Sequence, residues 1–311
     1  CPISIQNIGL MIWHQRCYPL STAFASLLYC WDDLACTFSI LPLSAFGINY
    51  LKTQQKAVIM QIPFNLNRMK DTELHFPQRF ASMLQKDYGL IFFNEGNKAS
   101  LDSNHAVIKD HLGIESSLRD IEFFYKSKGI NPSIYSSLQA GELSRISDAL
   151  EHHGFTVQFL DHEYFVHDHD GILKPIDELK IERVQKLDIE IMETLALEYG
   201  GDWTIKVAER HLAHPSYHLL GGFYAGELAA LASVSIYAGY SRVADVFTRD
   251  KFRGKGFAGS MIHYLVNYHH GISPNHLYLV SDNPGTTRIY EKGGFSRVNQ
   301  DFQTWLAMKK L

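Results

Sequence analysis

The chain repeats itself, and a repeat limits the fold to two copies of one arrangement of elements. Gly129-Ile130-Asn131-Pro132, followed by the strand-like Ser133-Ile134-Tyr135, recurs 142 residues later as Gly271-Ile272-Ser273-Pro274 followed by His276-Leu277-Tyr278-Leu279-Val280. Downstream, Leu150-Glu151-His152-His153-Gly154-Phe155 matches Tyr290-Glu291-Lys292-Gly293-Gly294-Phe295 at a spacing of 140. Apolar residues at helical spacing precede each copy: Leu118, Ile121, Phe124 and Tyr125 in the first, Phe257, Met261, Ile262, Leu265 and Val266 in the second. Helix, Gly-x-x-Pro turn and strand are common parts, so accidental recurrence is the competing reading. Two matches in the same order at nearly one spacing favour duplication.

Two domains also suit the length, since 311 residues are about twice what a single core fills comfortably. With 46% hydrophobic and 20% charged residues the composition is that of a globular protein and argues against a polytopic membrane protein. Lys+Arg 29 against Asp+Glu 33 gives a formal charge of -4, and no Lys/Arg stripe is present, so nucleic acid is not an expected partner. Residues 1–59 stand apart. They hold five charged side chains (Arg16, Asp32, Asp33, Lys52, Lys56) and all four cysteines, Cys1, Cys17, Cys30 and Cys36, at gaps that match no CxxC zinc or redox spacing. Leu34 to Leu51 is uncharged, near the lower limit for a spanning helix, yet Pro42, Gly47 and Asn49 interrupt it. No basic start or small-residue cleavage site marks a signal peptide. Because the sequence opens on Cys1 rather than Met, this stretch is expected to be a poorly ordered or non-native leader, with Met60 opening the normally charged part. A cysteine-free body points to a cytoplasmic location.

From residue 176 onward the pattern is mixed α and β with short connections. Leu179 to Val184 alternates like a strand, and Leu187 to Leu197 and Thr204 to His211 have helical periodicity. Tyr217 to Tyr224 and Glu227 to Ile236 are apolar strands joined by Ala225-Gly226, which predicts a hairpin. Arg242 to Thr248 is a further strand. It leads into Arg253-Gly254-Lys255-Gly256-Phe257-Ala258, set before an amphipathic helix. Glycines let the backbone approach a ligand closely, and the helix start offers unpaired N–H groups, so a phosphate is the natural guest. Alone this pattern is weak. It is neither the G-x-x-x-x-G-K-[ST] phosphate loop nor a full G-x-G-x-x-G dinucleotide fingerprint. Thirty residues after Arg253 comes Asn283, then Thr286, Ile289-Tyr290-Glu291-Lys292 and Gly294-Phe295, on a helix predicted from Pro284 to Lys292.

The two segments together resemble the GNAT superfamily of N-acetyltransferases, whose acetyl-CoA site combines R/Q-x-x-G-x-G/A with N-x-x-[A/T]-x-x-[L/I]-Y-E-K-x-G-F. The resemblance runs from near Lys180 to Lys310 and matches the family in order and spacing. It implies an α/β (α+β mixed sheet) fold of tandem GNAT-like domains, each a central, mostly antiparallel sheet flanked by helices. It further implies acetyl-CoA as cosubstrate and a small-molecule or peptide amine as acceptor, acting as monomer or homodimer. Backbone N–H groups from Arg253, Gly254, Lys255, Gly256, Phe257 and Ala258 would hold the pyrophosphate, while Val246, Phe247 and Thr248 would pair with the pantetheine arm and polarise the thioester carbonyl. Asn283 and Thr286 would meet the arm, and Tyr290 would protonate the departing thiolate. The general base is not fixed by the family. Asp245 is the leading candidate, with Glu198 and Asp202 as alternatives or as attractors of a cationic substrate. A non-catalytic acyl-CoA-binding module is the alternative function.

The first copy lacks the site. Leu150 stands where the second has Tyr290, and His111 to Glu115 lacks both the Arg and the paired glycines. Residues 60–173 are therefore expected to be a degenerate GNAT-like domain beside a catalytic one at 176–311. The run Asp161, His162, Glu163, His167, Asp168, His169 and Asp170 carries metal-ligand residue types, but alternating polar residues on a strand and its exit explain it, and no metal is expected. His152-His153 and His269-His270 fall at helix ends, where cationic imidazoles favour the helix dipole.

Overall fold

In a computed structural model the described residues are 63–237 and 239–310; the leader expected over 1–59 lies outside them. The first half forms helix α1 (Leu66–His75), strands β1 (Ser82–Lys86), β2 (Gly89–Phe93) and β3 (His105–Ile108), helix α2 (Ile114–Ser127), strand β4 (Ser133–Tyr135), helix α3 (Glu142–His152) and strands β5 (Thr156–Leu160) and β6 (Glu163–His167). The second forms β7 (Leu179–Val184), α4 (Ile189–Tyr199), α5 (Trp203–Leu212), β8 (Tyr217–Tyr224), β9 (Glu227–Ile236), β10 (Tyr240–Thr248), α6 (Phe257–Ile272), β11 (His276–Ser281), α7 (Pro284–Lys292), β12 (Phe295–Arg297) and β13 (Thr304–Met308). Local chemistry sets these boundaries. Asp188 Oδ1 accepts from the Ile191 N–H at 2.9 Å to cap α4, and Asn283 Oδ1 accepts from Gly285 N–H at 2.9 Å to cap α7, where Pro284 supplies the preset φ of a first turn.

The fold is mixed α and β, as expected, with two mixed sheets flanked by helices. One has the order β1-β2-β3-β4-β13-β5, the other β12-β6-β11-β10-β9-β8-β7. Each contains a single parallel pair, β3 with β4 and β10 with β11, and a helix bridges each pair, α2 in the first and α6 in the second. The same order of helix, strand, helix and two strands then follows in both. Matching helices cover matching sheets: Leu118, Ile121 and Tyr125 of α2 pack with Ile134, Ile146 and Leu150, while Phe257, Met261 and Leu265 of α6 pack with Leu277, Leu279 and Tyr290.

The halves exchange their last strands. Strand β6, from the first half, lies between β11 and β12, with Leu279 opposite Phe165 and Ser296 opposite Val166. Strand β13, from the second half, lies between β4 and β5, with Leu306 opposite both Tyr135 and Gln158. A division at residues 173–176 thus follows the sequence repeat but not the sheets, because the backbone bonds of β6 and β13 go to the other half. A mixed apolar cluster of Met69, Leu138, Tyr164, Tyr240, Tyr278 and Phe302 ties them further.

Two sequence expectations need correction. The strand expected from Arg242 to Thr248 begins two residues earlier, at Tyr240. The cationic role expected for His269 is also wrong. The side chain is 0% exposed, neither ring nitrogen has a hydrogen-bond partner among the described residues, and burial, helped by the neighbouring His270 and His167, lowers its pKa to about 4, so it is a neutral core residue. His153 has another use, its ring nitrogens each 2.7 Å from a carboxylate, those of Glu122 and Glu115.

Candidate active site

Strands β10 and β11 run paired from Tyr240 opposite His276 to Val243 opposite Leu279, and there the pairing ends. Just beyond, the register of β10 against β9 slips between Ala244 and Phe247, a bulge that leaves Asp245 and Val246 without a ladder partner on that side. Asp245 sits in the left-handed region at φ 53°, which is costly for a residue with a Cβ. Its carboxylate compensates. Oδ2 accepts from the Tyr217 hydroxyl at 2.8 Å and the Ser233 hydroxyl at 2.6 Å, and Oδ1 from the Tyr199 hydroxyl at 3.1 Å. Burial and the adjacent carboxylate push both phenol pKa values up, so the tyrosines stay protonated donors. The bulge thus lies just where β10 and β11 part, and a wedge opens between these two strands of a parallel pair.

A cavity of about 520 Å³ occupies the wedge and the space facing it. Asp245, Val246, Phe247, Asn283, Thr286 and Tyr290 all line it, so six of the sequence-derived site residues meet there. Tyr290 is 7% exposed and packs on Phe165 and Phe295. Burial raises its phenol pKa, the nearby Thr286 hydroxyl opposes this, and Asp282 adds to it, so the group is a proton donor at neutral pH. Glu198 lines the cavity as well, 3.8 Å from Arg253 Nη2. Asp202, at the start of α5, is exposed and lines neither this cavity nor the smaller one beside it.

The remaining expected residues lie beyond that cavity, at the end of β10 and the start of α6. Thr248 is buried and its Oγ1 has no hydrogen-bond partner among the described residues. Gly254 (φ 78°) and Gly256 (φ 81°) bend the loop, and Gly256 caps α6 with no side chain, so the first N–H groups of the helix receive no side-chain acceptor. Arg253 donates from Nε to the Thr248 carbonyl at 3.1 Å and pairs with Asp250 at 2.8 Å, while Lys255 Nζ lies 4.7 Å from the Tyr224 ring centre. A diphosphate fits this cradle of free N–H groups and two cations, and the orphaned Thr248 hydroxyl between cradle and wedge fits an amide of a linear arm.

Residues 192–307 match the sequence profile of the acetyltransferase (GNAT) domain. The chain carries a GNAT acetyltransferase domain. No curated protein sequence matches it. Among solved structures, the fold is similar to a GCN5-related N-acetyltransferase from Kribbella flavida (16% identity, TM-score 0.59, 78% of this chain and 95% of that one). It is also similar to a functionally unknown conserved protein from Staphylococcus epidermidis ATCC 12228 (15% identity, TM-score 0.52, 74% and 94%). Identities this low speak for the fold, and each likeness extends well past the GNAT profile into the first half.

The first half builds one wall of the large cavity. Glu73 and Phe76, Asp102 and His105, Tyr135 and His162 all face it, and so do Tyr164 and Trp305 from the exchanged strands. Glu73 Oε2 accepts from Arg242 Nε at 2.8 Å and from the Tyr278 hydroxyl at 2.9 Å, which ties α1 to β10 and β11 at the point where they part. In the first half Gly113 caps α2 at φ 66° as Gly256 caps α6 at φ 81°. The polar run after residue 160 serves structure: Glu163 pairs with Arg297, Asp168 bonds His169 and Ser296, and His167 packs on Phe295. No three potential metal ligands gather among the described residues. Among them, too, no helix is long and apolar enough to cross a membrane.

Proposed function

We propose that the protein transfers the acetyl group of acetyl-CoA to a primary amine by direct attack within a ternary complex. The observation that carries this reading is the wedge between β10 and β11, with the strained Asp245 bulge on one side, the buried phenol of Tyr290 on the other and the glycine cradle at its end. Acetyl-CoA supplies an activated thioester. N–H groups of Gly254, Gly256, Phe257 and Ala258, with Arg253 and Lys255, hold its diphosphate. Val246, Phe247 and Thr248 present the free edge of β10 to the arm, and one of their N–H groups donates to the carbonyl oxygen as it gains charge. Asn283, whose Oδ1 serves as the helix cap, meets the arm through its amide nitrogen, and Thr286 flanks it.

The acceptor nitrogen forms the new C–N bond, the C–S bond breaks, and Tyr290 gives its proton to the leaving sulfur. Asp245 takes the proton the nitrogen loses, directly or through water; three hydroxyl donors leave one lone pair of Oδ1 for the task. Glu198, which also borders the cavity, is the second candidate. No cysteine nucleophile is required. The test is calorimetric binding of CoA together with thiol release from acetyl-CoA over a panel of primary amines. Tyr290→Phe is expected to lower kcat by about 10²–10⁴-fold with little change in CoA affinity. CoA bound without turnover of any amine, and unchanged by Tyr290→Phe, would favour a non-catalytic acyl-CoA-binding module instead.

A further inference from the structure

A second, smaller cavity of about 90 Å³ adjoins the large one and differs from it in character. Leu195 of α4, Trp203, Val207 and Ala208 of α5 and Leu219 of β8 make its walls apolar. Asp102, Tyr199, Val207, His211 and Asp245 border both cavities and so mark the opening between them. The large cavity is acidic. Among the described residues, five carboxylates (Glu73, Asp102, Glu198, Asp245, Asp282) and one cation, Arg242, line it, and Glu73 already neutralises that cation.

His211 is the unexplained group at the junction. It is 5% exposed, stacks on Tyr217 with ring centres 4.5 Å apart, and its Nδ1 has no hydrogen-bond partner among the described residues. A buried polar atom without a partner is destabilising unless something fills the vacancy. Burial lowers the pKa of this imidazole to about 4, so at neutral pH it can accept a hydrogen bond from an ammonium or amine N–H. No contact with the phosphate cradle or Tyr290 accounts for it.

Resting on the acetyl-transfer reading above, we propose that the acceptor is a primary amine bearing a compact apolar substituent. Its nitrogen lies between Asp245 and His211, with Asp102 of the first half adding negative charge, and its substituent fills the side cavity. Size narrows the class. A dry protein cavity of about 150 Å³ accepts benzene, so 90 Å³ suits a branched aliphatic group of about three or four carbons. Polyamines, amino sugars and other acceptors with polar or charged tails fit these walls poorly.

The experiment is a calorimetric ladder of methylamine, ethylamine, propylamine, isobutylamine, isopentylamine and hexylamine, titrated into the protein saturated with CoA and into the free protein. Affinity is expected to rise about fourfold for each added carbon, to level off near three or four carbons, and to exceed that for ethanolamine or putrescine. Val207→Trp should erase the gain beyond ethylamine while leaving CoA affinity unchanged. His211→Phe, which keeps the stacked ring, should weaken every amine in the ladder to a similar degree. A flat ladder, or tighter binding of putrescine than of isobutylamine, overturns the proposal whether or not the variants fold, because both are read on the unaltered protein. CoA binding is measured in the same series. Its failure would count against the acetyl-transfer reading, whereas CoA binding with a flat ladder would sink only the side-cavity assignment.

Discussion

Single residues here do opposite things with the same chemistry. Histidine is the clearest case, since His153 bridges two carboxylates while His269 is sealed in the core with no hydrogen-bond partner among the described residues. His269 is neutral when folded and has a pKa of about 4, against about 6.5 in the unfolded chain. The folded pKa is therefore depressed. Above about pH 6.5 neither state binds the proton and the group is silent; between 6.5 and 4 only the unfolded state binds it, so stability falls as pH falls. The limiting slope is about 1.4 kcal/mol per pH unit for one such proton. His270, His167 and His218 lie near it, and His167, depressed to about 4 for the same reason, adds to the effect. Chemical denaturation between pH 7 and 5 should show this decline. His269→Gln, which does not titrate, should be less stable at pH 7 but flatter across the range. An unchanged slope in the variant would contradict the assignment of that proton to His269.

At the scale of elements, the sequence was informative wherever local rules decide. The Ala225-Gly226 hairpin, β7 at Leu179–Val184 and α7 at Pro284–Lys292 lie where turn chemistry, alternation and proline placement put them. The glycine loop that opens α6, the proposed diphosphate cradle, was legible for the same reason, as glycine spacing before an apolar helix is a local signal. What was not legible is non-local. Nothing around Asp245 announces a left-handed residue, because the bulge is stabilised by hydroxyls of Tyr199, Tyr217 and Ser233 drawn from three other elements. His211 was hidden likewise, its role arising from what α5 packs against. The cradle offers an element-scale test. Gly256 is at φ 81° with Ile176 Cδ1 3.2 Å from where a Cβ would sit, so Gly256→Ala should cost about 1–2 kcal/mol in stability. The substitution also moves the N–H groups that open α6, so CoA affinity should fall by more than for an alanine at exposed Lys255. Equal losses in the two variants would mean that charge, not backbone shape, governs the cradle.

At the scale of the whole molecule, the strand exchange turns two copies into one folding unit. A repeat in sequence ordinarily suggests halves that could fold alone, and the sequence gives no hint otherwise, because β6 and β13 are short apolar strands suited to either sheet. Their positions decide. Strand β6 is interior to the second sheet, and its removal strips partners from both β11 and β12; removal of β13 does the same to β4 and β5. Each half alone would expose two unpaired edges beside an opened core, with Phe165 lost from one cluster and Trp305 from the other. The intact protein should therefore unfold over residues 63–310 in one calorimetric transition whose van't Hoff and calorimetric enthalpies agree. A protease site introduced after the exposed Lys174 gives the sharper test. Cut protein should remain a tight complex that keeps its CoA site, because the exchanged strands hold the fragments together after the covalent link is gone. Fragments 63–173 and 176–310 made separately should be unfolded, and should recover structure only when refolded together. A fragment 176–310 that unfolds cooperatively and binds CoA alone would show that β6 is dispensable to the second sheet and that the first copy is an appendage rather than half of the fold.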